Sequence, residues 1–505
     1  MNGVSCGTVN LTRQSFKNFD SKSMVGESET AVTSKYFVDL IQEKPIRFGY
    51  SDGKGKALFA SKKFTTGQPI FSEIPWVAMQ HRSNQRLVQG CENCFAVCGS
   101  IEDQLAHILD VGVDAIPTIP RFVKSEIDAS QPPKGIQLCP CGAVYCSNEC
   151  RVAAWERYHC LLCPANPDSP MQEFFLHSIG SDVSLCQRMT KNETSNETSI
   201  YVFPTETNEI FLLAAQVICT TCVNYARTGS IEESRKPVDM FCKLPWWEVG
   251  VRFGSELNKC KVVSVNATLE EGQTIEDYCG IFKELLAHTV ELFVEGLRFN
   301  THHLILHGNH PDSESNFMST VDFENVISDC EANGILSLDF FAKVVGMFEM
   351  NNISLEIRHP FSLVAELYQE SDVPEIQTWF ESVSATIQAK IKLENGADDE
   401  DYSEEKWDYP DLEGTALFSL ICMMNHSCDP NVAVSYEYGV ATVVAVREIS
   451  DCDELCISYI DTDQDFYARK AELRCGIIPT MKYSKYLYSE YQFECQCQKC
   501  ESERL

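Results

Sequence analysis

The chain has 505 residues, 44% hydrophobic and 23% charged, with 25 cysteines and a formal net charge of −32. Length and composition are those of a globular protein with room for two or three domains. The charge excludes affinity driven by nucleic acid phosphates; it suits a basic protein substrate, or simple solubility.

No apolar run approaches the roughly 18 residues of a membrane span. The N-terminus has neither the basic nor the apolar region of a signal peptide, so the expected setting is nuclear or cytoplasmic. In a reducing compartment cysteines are zinc ligands or buried thiols rather than disulfides. The sequons at Asn192 and Asn196 then carry nothing.

Residues 1–35 are Ser/Thr/Asn-rich without periodicity and read as a flexible tail. Strand texture begins at Ile46, passes through Gly53-Lys54-Gly55-Lys56-Ala57 into Leu58-Phe59-Ala60, and continues at Pro69-Ile70-Phe71. A cysteine-dense block runs from Cys91 to Cys163, interrupted by an insertion over 95–138 long enough for a helix of its own. Helical texture follows. Ile210, Leu213, Ala214, Val217 and Ile218 fall on one helical face. Thr274-x-x-Asp277 reads as a capping box, and another apolar stretch spans Phe340 to Met350. Glu394–Glu413 is strongly acidic and reads as a solvated connector. Strands then return: Val432–Tyr436 and Val440–Val446 form a hairpin through Tyr438-Gly439, and Asp453–Tyr459 forms another strand.

Cys91-x2-Cys94, Cys139-x-Cys141, Cys146-x3-Cys150 and His159-x3-Cys163 supply eight N/S ligands, enough for two tetrahedral zinc sites. Too few apolar residues lie between them for a core, so metal must do much of the folding. At the C-terminus Cys495-x-Cys497-x2-Cys500 offers three thiolates, one short of a set, and Cys428 is the natural fourth. Cys428 belongs to Asn425-His426-Ser427-Cys428-Asp429-Pro430-Asn431, and between the two segments lies Ile457-Ser458-Tyr459.

These features together resemble the SET domain of protein lysine methyltransferases, in the subgroup that also carries a MYND zinc finger. The resemblance covers about residues 46–500. It implies an α+β fold: a β-rich SET domain split by the finger and a helical insertion, with a zinc-binding post-SET tail. The implied segments are a tail (1–35), the SET N-terminal part (36–90), the finger (91–163), a helical insertion with acidic connector (164–410), the SET C-terminal part (411–480) and the post-SET segment (481–505). The finger would hold two zinc ions, one on Cys91, Cys94, Cys146 and Cys150, the other on Cys139, Cys141, His159 and Cys163. Two departures are the Cys-x-Cys second pair, which lets Cys160 compete as a ligand, and the long loop after Cys94. A third zinc would sit on Cys428, Cys495, Cys497 and Cys500. Ending five residues after Cys500, the chain would lack the C-terminal helical repeat domain of several animal members.

The resemblance also implies S-adenosylmethionine as cofactor. Gly55, Lys56 and Ala57 match the first SET motif, with Ala57 in place of its second Gly. Asn425 through its side chain and His426 through its backbone would hold the cofactor, and Phe493 would cover its adenine side. Tyr459 matches the active-site tyrosine, and Tyr491 a wall of the lysine channel. Glu349, Asn351 and Asn352 lie where the helical insertion reaches the cofactor. The stretches Asn208–Ala215, Pro245-Trp246-Trp247, Val345–Asn352 and Glu413–Ala416 look similar to the plant trithorax-related SET proteins and to a shorter animal branch. That resemblance implies a histone H3 or H4 lysine as substrate and a role in transcription, while the charge and the lack of a long apolar run lead to the expectation of no direct contact with nucleic acid or membrane. The competing reading is a non-catalytic adaptor whose finger grips a proline-rich peptide or a transcription factor. The presence of Asn425, His426 and Tyr459 favours the enzyme. A zinc hydrolase fails because sulfur-rich sites are closed.

Overall fold

The computed structural model describes residues 35–130, 134–179, 209–249, 251–253, 260–262, 267–268, 275–307, 321–362, 373–395, 410–437, 439–475 and 493–504. The expected tail up to residue 34, both sequons, Thr274, Tyr438, Tyr491 and the acidic segment over 396–409 lie outside these residues.

Strands from the two ends of the chain build the scaffold. The hairpin β1 (Ile46–Ser51) and β2 (Gly55–Ala60) turns through Gly53 and Gly55, whose φ values of +73° and +85° only glycine adopts without strain. β3 (Pro69–Glu73) and β4 (Val77–Gln80) follow at once. More than 270 residues later come β5 (Ile353–Ile357), β6 (Leu412–Leu417), β7 (Asn425–His426), β8 (Val432–Glu437), β9 (Val440–Ala445) and β10 (Cys456–Ile457). β4 pairs antiparallel with β6, which pairs with β5; β3 pairs antiparallel with β9, the second strand of the β8–β9 hairpin. The last strand is shorter than expected. Only Cys456–Ile457 ladder, in parallel with β7, because Asn431 occupies the neighbouring backbone: its side chain donates to Glu454 O (2.8 Å) and accepts from Cys456 N (2.8 Å).

Helices make up the rest. The insertion after the first cysteine pair holds α1 (Ile101–Leu109) and α2 (Arg121–Ser130). A reciprocal Ser100–Asp103 capping box starts α1, and Asp110 ends it in the left-handed conformation. Beyond the cysteine block lie α3 (Pro170–Ile179), α4 (Ile210–Thr228), α5 (Ile275–His307), α6 (Leu338–Asn351) and α7 (Pro374–Asn395). α1 and α7 share a small separate core around Leu105, Ile108, Phe361, Val383 and Ile387. The capping residue that starts α6 is Ser337, and Gly229 at φ +65° closes α4.

α4 corrects one expectation. By length and composition alone it is apolar enough to cross a membrane, yet 78% of its most apolar window is buried in the protein. All residues from Ile210 to Val223 are buried, at roughly 1.5–3 kcal/mol for each large aliphatic side chain. An aromatic cluster continues the packing, with Trp246 edge-on to Phe211 (5.4 Å) and Phe282 (4.4 Å). α6 approaches this cluster so closely that a Cβ on Gly346 would lie 2.0 Å from Leu244 O. Gly346→Ala is therefore expected to cost about 2 kcal/mol despite the better helix propensity of alanine, and denaturant unfolding measures it.

Candidate functional site

The twelve expected metal ligands gather into three sets. Cys91, Cys94, Cys146 and Cys150 form one; Cys139, Cys141, His159 and Cys163 the second; Cys428, Cys495, Cys497 and Cys500 the third. Within each, all ligand atoms lie within 4.8 Å of one another. Ser147 caps the helix over 148–154 that carries Cys150, and a π-turn over Trp155–His159 presents His159 to its set. Tyr145, Trp155 and Tyr158 surround the buried His159 ring edge-on at 6.0–6.2 Å. Cys160, the expected competitor, stands outside the second set and is buried; burial pushes its thiol up to about 12.

The spacings fit zinc. Four ligands at about 2.3 Å for sulfur and 2.0–2.1 Å for nitrogen place tetrahedral S···S edges near 3.8 Å and S···N edges near 3.5 Å. Cys139–Cys163 is 3.7 Å, Cys94–Cys146 and Cys146–Cys150 are 3.5 Å, and His159 Nε2 lies 3.4 Å and 3.5 Å from Cys139 and Cys141. A disulfide needs about 2.05 Å. The sulfur-rich, mutually close donor sets can thus hold zinc and are not disulfides.

The third set is joined to the Asn-His loop. His426 Nε2 lies 3.2 Å from Cys428 Sγ, and its Nδ1 accepts from Tyr459 N at 3.0 Å. That fixes the buried imidazole in the tautomer with Nδ1 unprotonated. The Tyr459 hydroxyl donates to Met424 O (2.7 Å), and its ring lies 5.3 Å from that of His426. Phe493, two residues before Cys495, sits 5.6 Å from the His426 ring, and its N–H donates to Leu473 O in the helix over 466–475.

The Gly-rich turn arrives from the other side. Asn425 Nδ2 donates to Lys56 O (3.1 Å) and to Glu454 Oε1 (2.8 Å). Ala57 is fully buried in β2, and the space beside Gly53 and Gly55 is open: a Cβ built on either meets nothing within 4 Å. The Lys56 side chain turns inward, its ammonium donating to Met240 O and lying 5.9 Å from the Phe37 ring; burial lowers its pKa to about 8. The structure therefore brings Gly55, Lys56, Ala57, Asn425, His426, Tyr459 and Phe493 into one region. Of the helical-insertion residues, Asn351 donates to Cys242 O and Met347 O, Asn352 to Phe348 O, and Glu349 accepts from Trp246 Nε1. These contacts cap and dock α6.

Glu73 and Glu454 escaped the sequence reading, since a lone carboxylate in a strand carries no motif. Glu73 is half-buried and accepts the N–H groups of Leu420 (2.9 Å) and Ile421 (3.0 Å), fixing the turn that leads into β7. Burial raises its pKa to about 7 against those hydrogen bonds. With the folded value above the unfolded one of about 4.5, its contribution to stability is fully present below pH 4.5 and is lost as pH rises through 7. Thermal unfolding from pH 5 to 8 is expected to show this loss in the wild type and a flatter profile in Glu73→Gln.

Comparison with known proteins places this geometry. The SET domain family matches residues 55–460, and the chain belongs to that family. It is 24% identical over 550 residues to the histone-lysine N-methyltransferase ATXR2 of Arabidopsis thaliana, covering 95% of this chain and 96% of that protein. It is 24% identical over 470 residues to the protein-lysine N-trimethyltransferase SMYD5 of Danio rerio, covering 91% and 87%. A shorter match, 38% over 87 residues and 17% of each chain, joins it to the human N-lysine methyltransferase SMYD2. The chain is a protein-lysine N-methyltransferase of the SET and MYND group, related to the plant protein.

Proposed function

We propose that this enzyme methylates a lysine of histone H3 or H4, in the nucleus or cytoplasm, with transcription as the process it regulates. The convergence of Asn425, His426 and Tyr459 beside the open Gly-rich turn carries this reading of the site. The ATXR2 relative, named as a histone-lysine enzyme and matched along nearly its whole length, supports the histone. S-adenosylmethionine, when bound, supplies a methyl group on an electrophilic sulfonium. The backbone of Gly55–Ala57, the Asn425 side chain, the His426 backbone and the Phe493 ring would hold it.

The chemistry left to the protein is placement and desolvation. An amine must approach in line, so Tyr459 has to be rigid, and its two hydrogen bonds make it so. Its hydroxyl hydrogen goes to Met424 O, so the phenol oxygen would meet the substrate amine as an acceptor. A dry channel at the site would favour the neutral amine. The acidic surface draws a basic tail toward the site.

In this reading residues 36–90 and 411–480 are the two SET parts, 91–163 a two-zinc MYND finger, 164–410 the helical insertion, and 481–505 a one-zinc post-SET segment. The finger offers a docking place for a proline-rich peptide or transcription factor, with no direct role for nucleic acid or membrane. The test is transfer from methyl-labelled cofactor to core histones, read by mass spectrometry. Label on one lysine of H3 or H4 is expected; label on other proteins of a nuclear extract with none on histones contradicts the substrate.

A further inference from the structure

We infer that Glu454 is a positioning residue that presents the carbonyl oxygen of Asn425 to the α-ammonium group of the cofactor. The inference rests on the cofactor site proposed above and extends it to a residue with no motif of its own.

The Glu454 carboxylate takes three hydrogen bonds. Oε1 accepts from Asn425 Nδ2 at 2.8 Å. Oε2 accepts from Ser51 Oγ at 3.0 Å, at the end of β1, and from Lys54 Nζ at 3.1 Å, in the turn between β1 and β2. The Glu454 main chain is bridged to Phe59 in β2, and its carbonyl is held by Asn431. Only 18% of the side chain is exposed. One carboxylate thus ties the Gly-rich turn, the Asn-His loop and the strand leading to Tyr459.

The consequence for Asn425 is chemical. An amide has two N–H donors and one carbonyl acceptor. Both neighbours of Asn425 Nδ2, the Lys56 carbonyl and the Glu454 carboxylate, are acceptors only. The reverse orientation would set oxygen against oxygen twice, so the amide cannot flip. Oδ1 is left as the group offered to a ligand, and it can only accept. An ammonium is recognised by such an oxygen; a carboxylate is repelled by it. Without Glu454, one Nδ2 hydrogen loses its partner and the side chain is free to rotate.

Calorimetry with two ligands tests this. S-adenosylhomocysteine carries the α-ammonium, and 5′-methylthioadenosine has the same adenosine and thioether without the amino acid. Glu454→Ala is expected to weaken S-adenosylhomocysteine binding about 10- to 100-fold and methylthioadenosine binding less than about threefold. Glu454→Gln keeps an acceptor for Asn425 but loses the Lys54 pair, and is expected to recover most of the affinity. Equal weakening of both ligands, or no weakening of S-adenosylhomocysteine in either variant, overturns the inference. If wild-type protein binds neither ligand, the cofactor reading itself fails, which is a separate outcome. Should the alanine variant not fold, Glu454→Met, which keeps the stem and removes both oxygens, takes its place and is expected to weaken the two ligands in the same unequal ratio.

Discussion

Tyr459→Phe is expected to slow methyl transfer about 10²- to 10³-fold while leaving S-adenosylhomocysteine affinity within about twofold. The ring of Tyr459 packs against His426, and its backbone N–H holds the imidazole. Phenylalanine keeps both. What it removes is the hydroxyl proposed to meet the substrate amine, together with its bond to Met424 O. Losing that bond costs about 1 kcal/mol of stability, too little to unfold the domain. Single-turnover transfer beside calorimetry separates the effects. Equal losses in rate and cofactor affinity would make the tyrosine a structural residue.

The second large effect belongs to the C-terminal cysteine set. Cys428→Ser is expected to remove one equivalent of zinc per chain and to weaken cofactor binding more than about tenfold. The coupling is geometric. Cys428 lies two residues beyond His426 and touches its Nε2, while Cys495 lies two residues beyond Phe493. A metal there would pin both walls of the proposed cofactor region at once. Cys160→Ser, outside every ligand set, leaves zinc content unchanged. Elemental analysis and calorimetry on both variants decide; unaltered zinc in Cys428→Ser contradicts the assignment.

Much of this was legible before the structure because sulfur ligands and motif residues are constrained by chemistry rather than by packing. The twelve candidate ligand residues spread from Cys91 to Cys500 gather in the three sets that the family resemblance implied. The helices beginning near Ile210, Ile275 and Phe340 were readable from periodicity, though α6 starts earlier, at its Ser337 cap. α4 escaped an apolar-run criterion because Gln216, Thr220 and Thr221 break the run in sequence but are buried in the core. The expected strand over 453–459 reduces to two residues, for side-chain bonds from Asn431 compete with the ladder, and such bonds have no period. Glu73 and Glu454 belong to no motif; Glu73 meets Leu420 across 347 residues, and Glu454 reaches Ser51 across 403 and Asn425 across 29, separations that no local pattern records.

A crystal structure of the zinc-loaded protein with S-adenosylhomocysteine tests the central claim most directly. The account predicts the ligand between the Gly55–Ala57 turn and Asn425–His426, its amino group on Asn425 Oδ1 and its sulfur facing Tyr459 Oη, with anomalous zinc signal in all three ligand sets. A ligand bound elsewhere, with Asn425 and Tyr459 untouched, would contradict it.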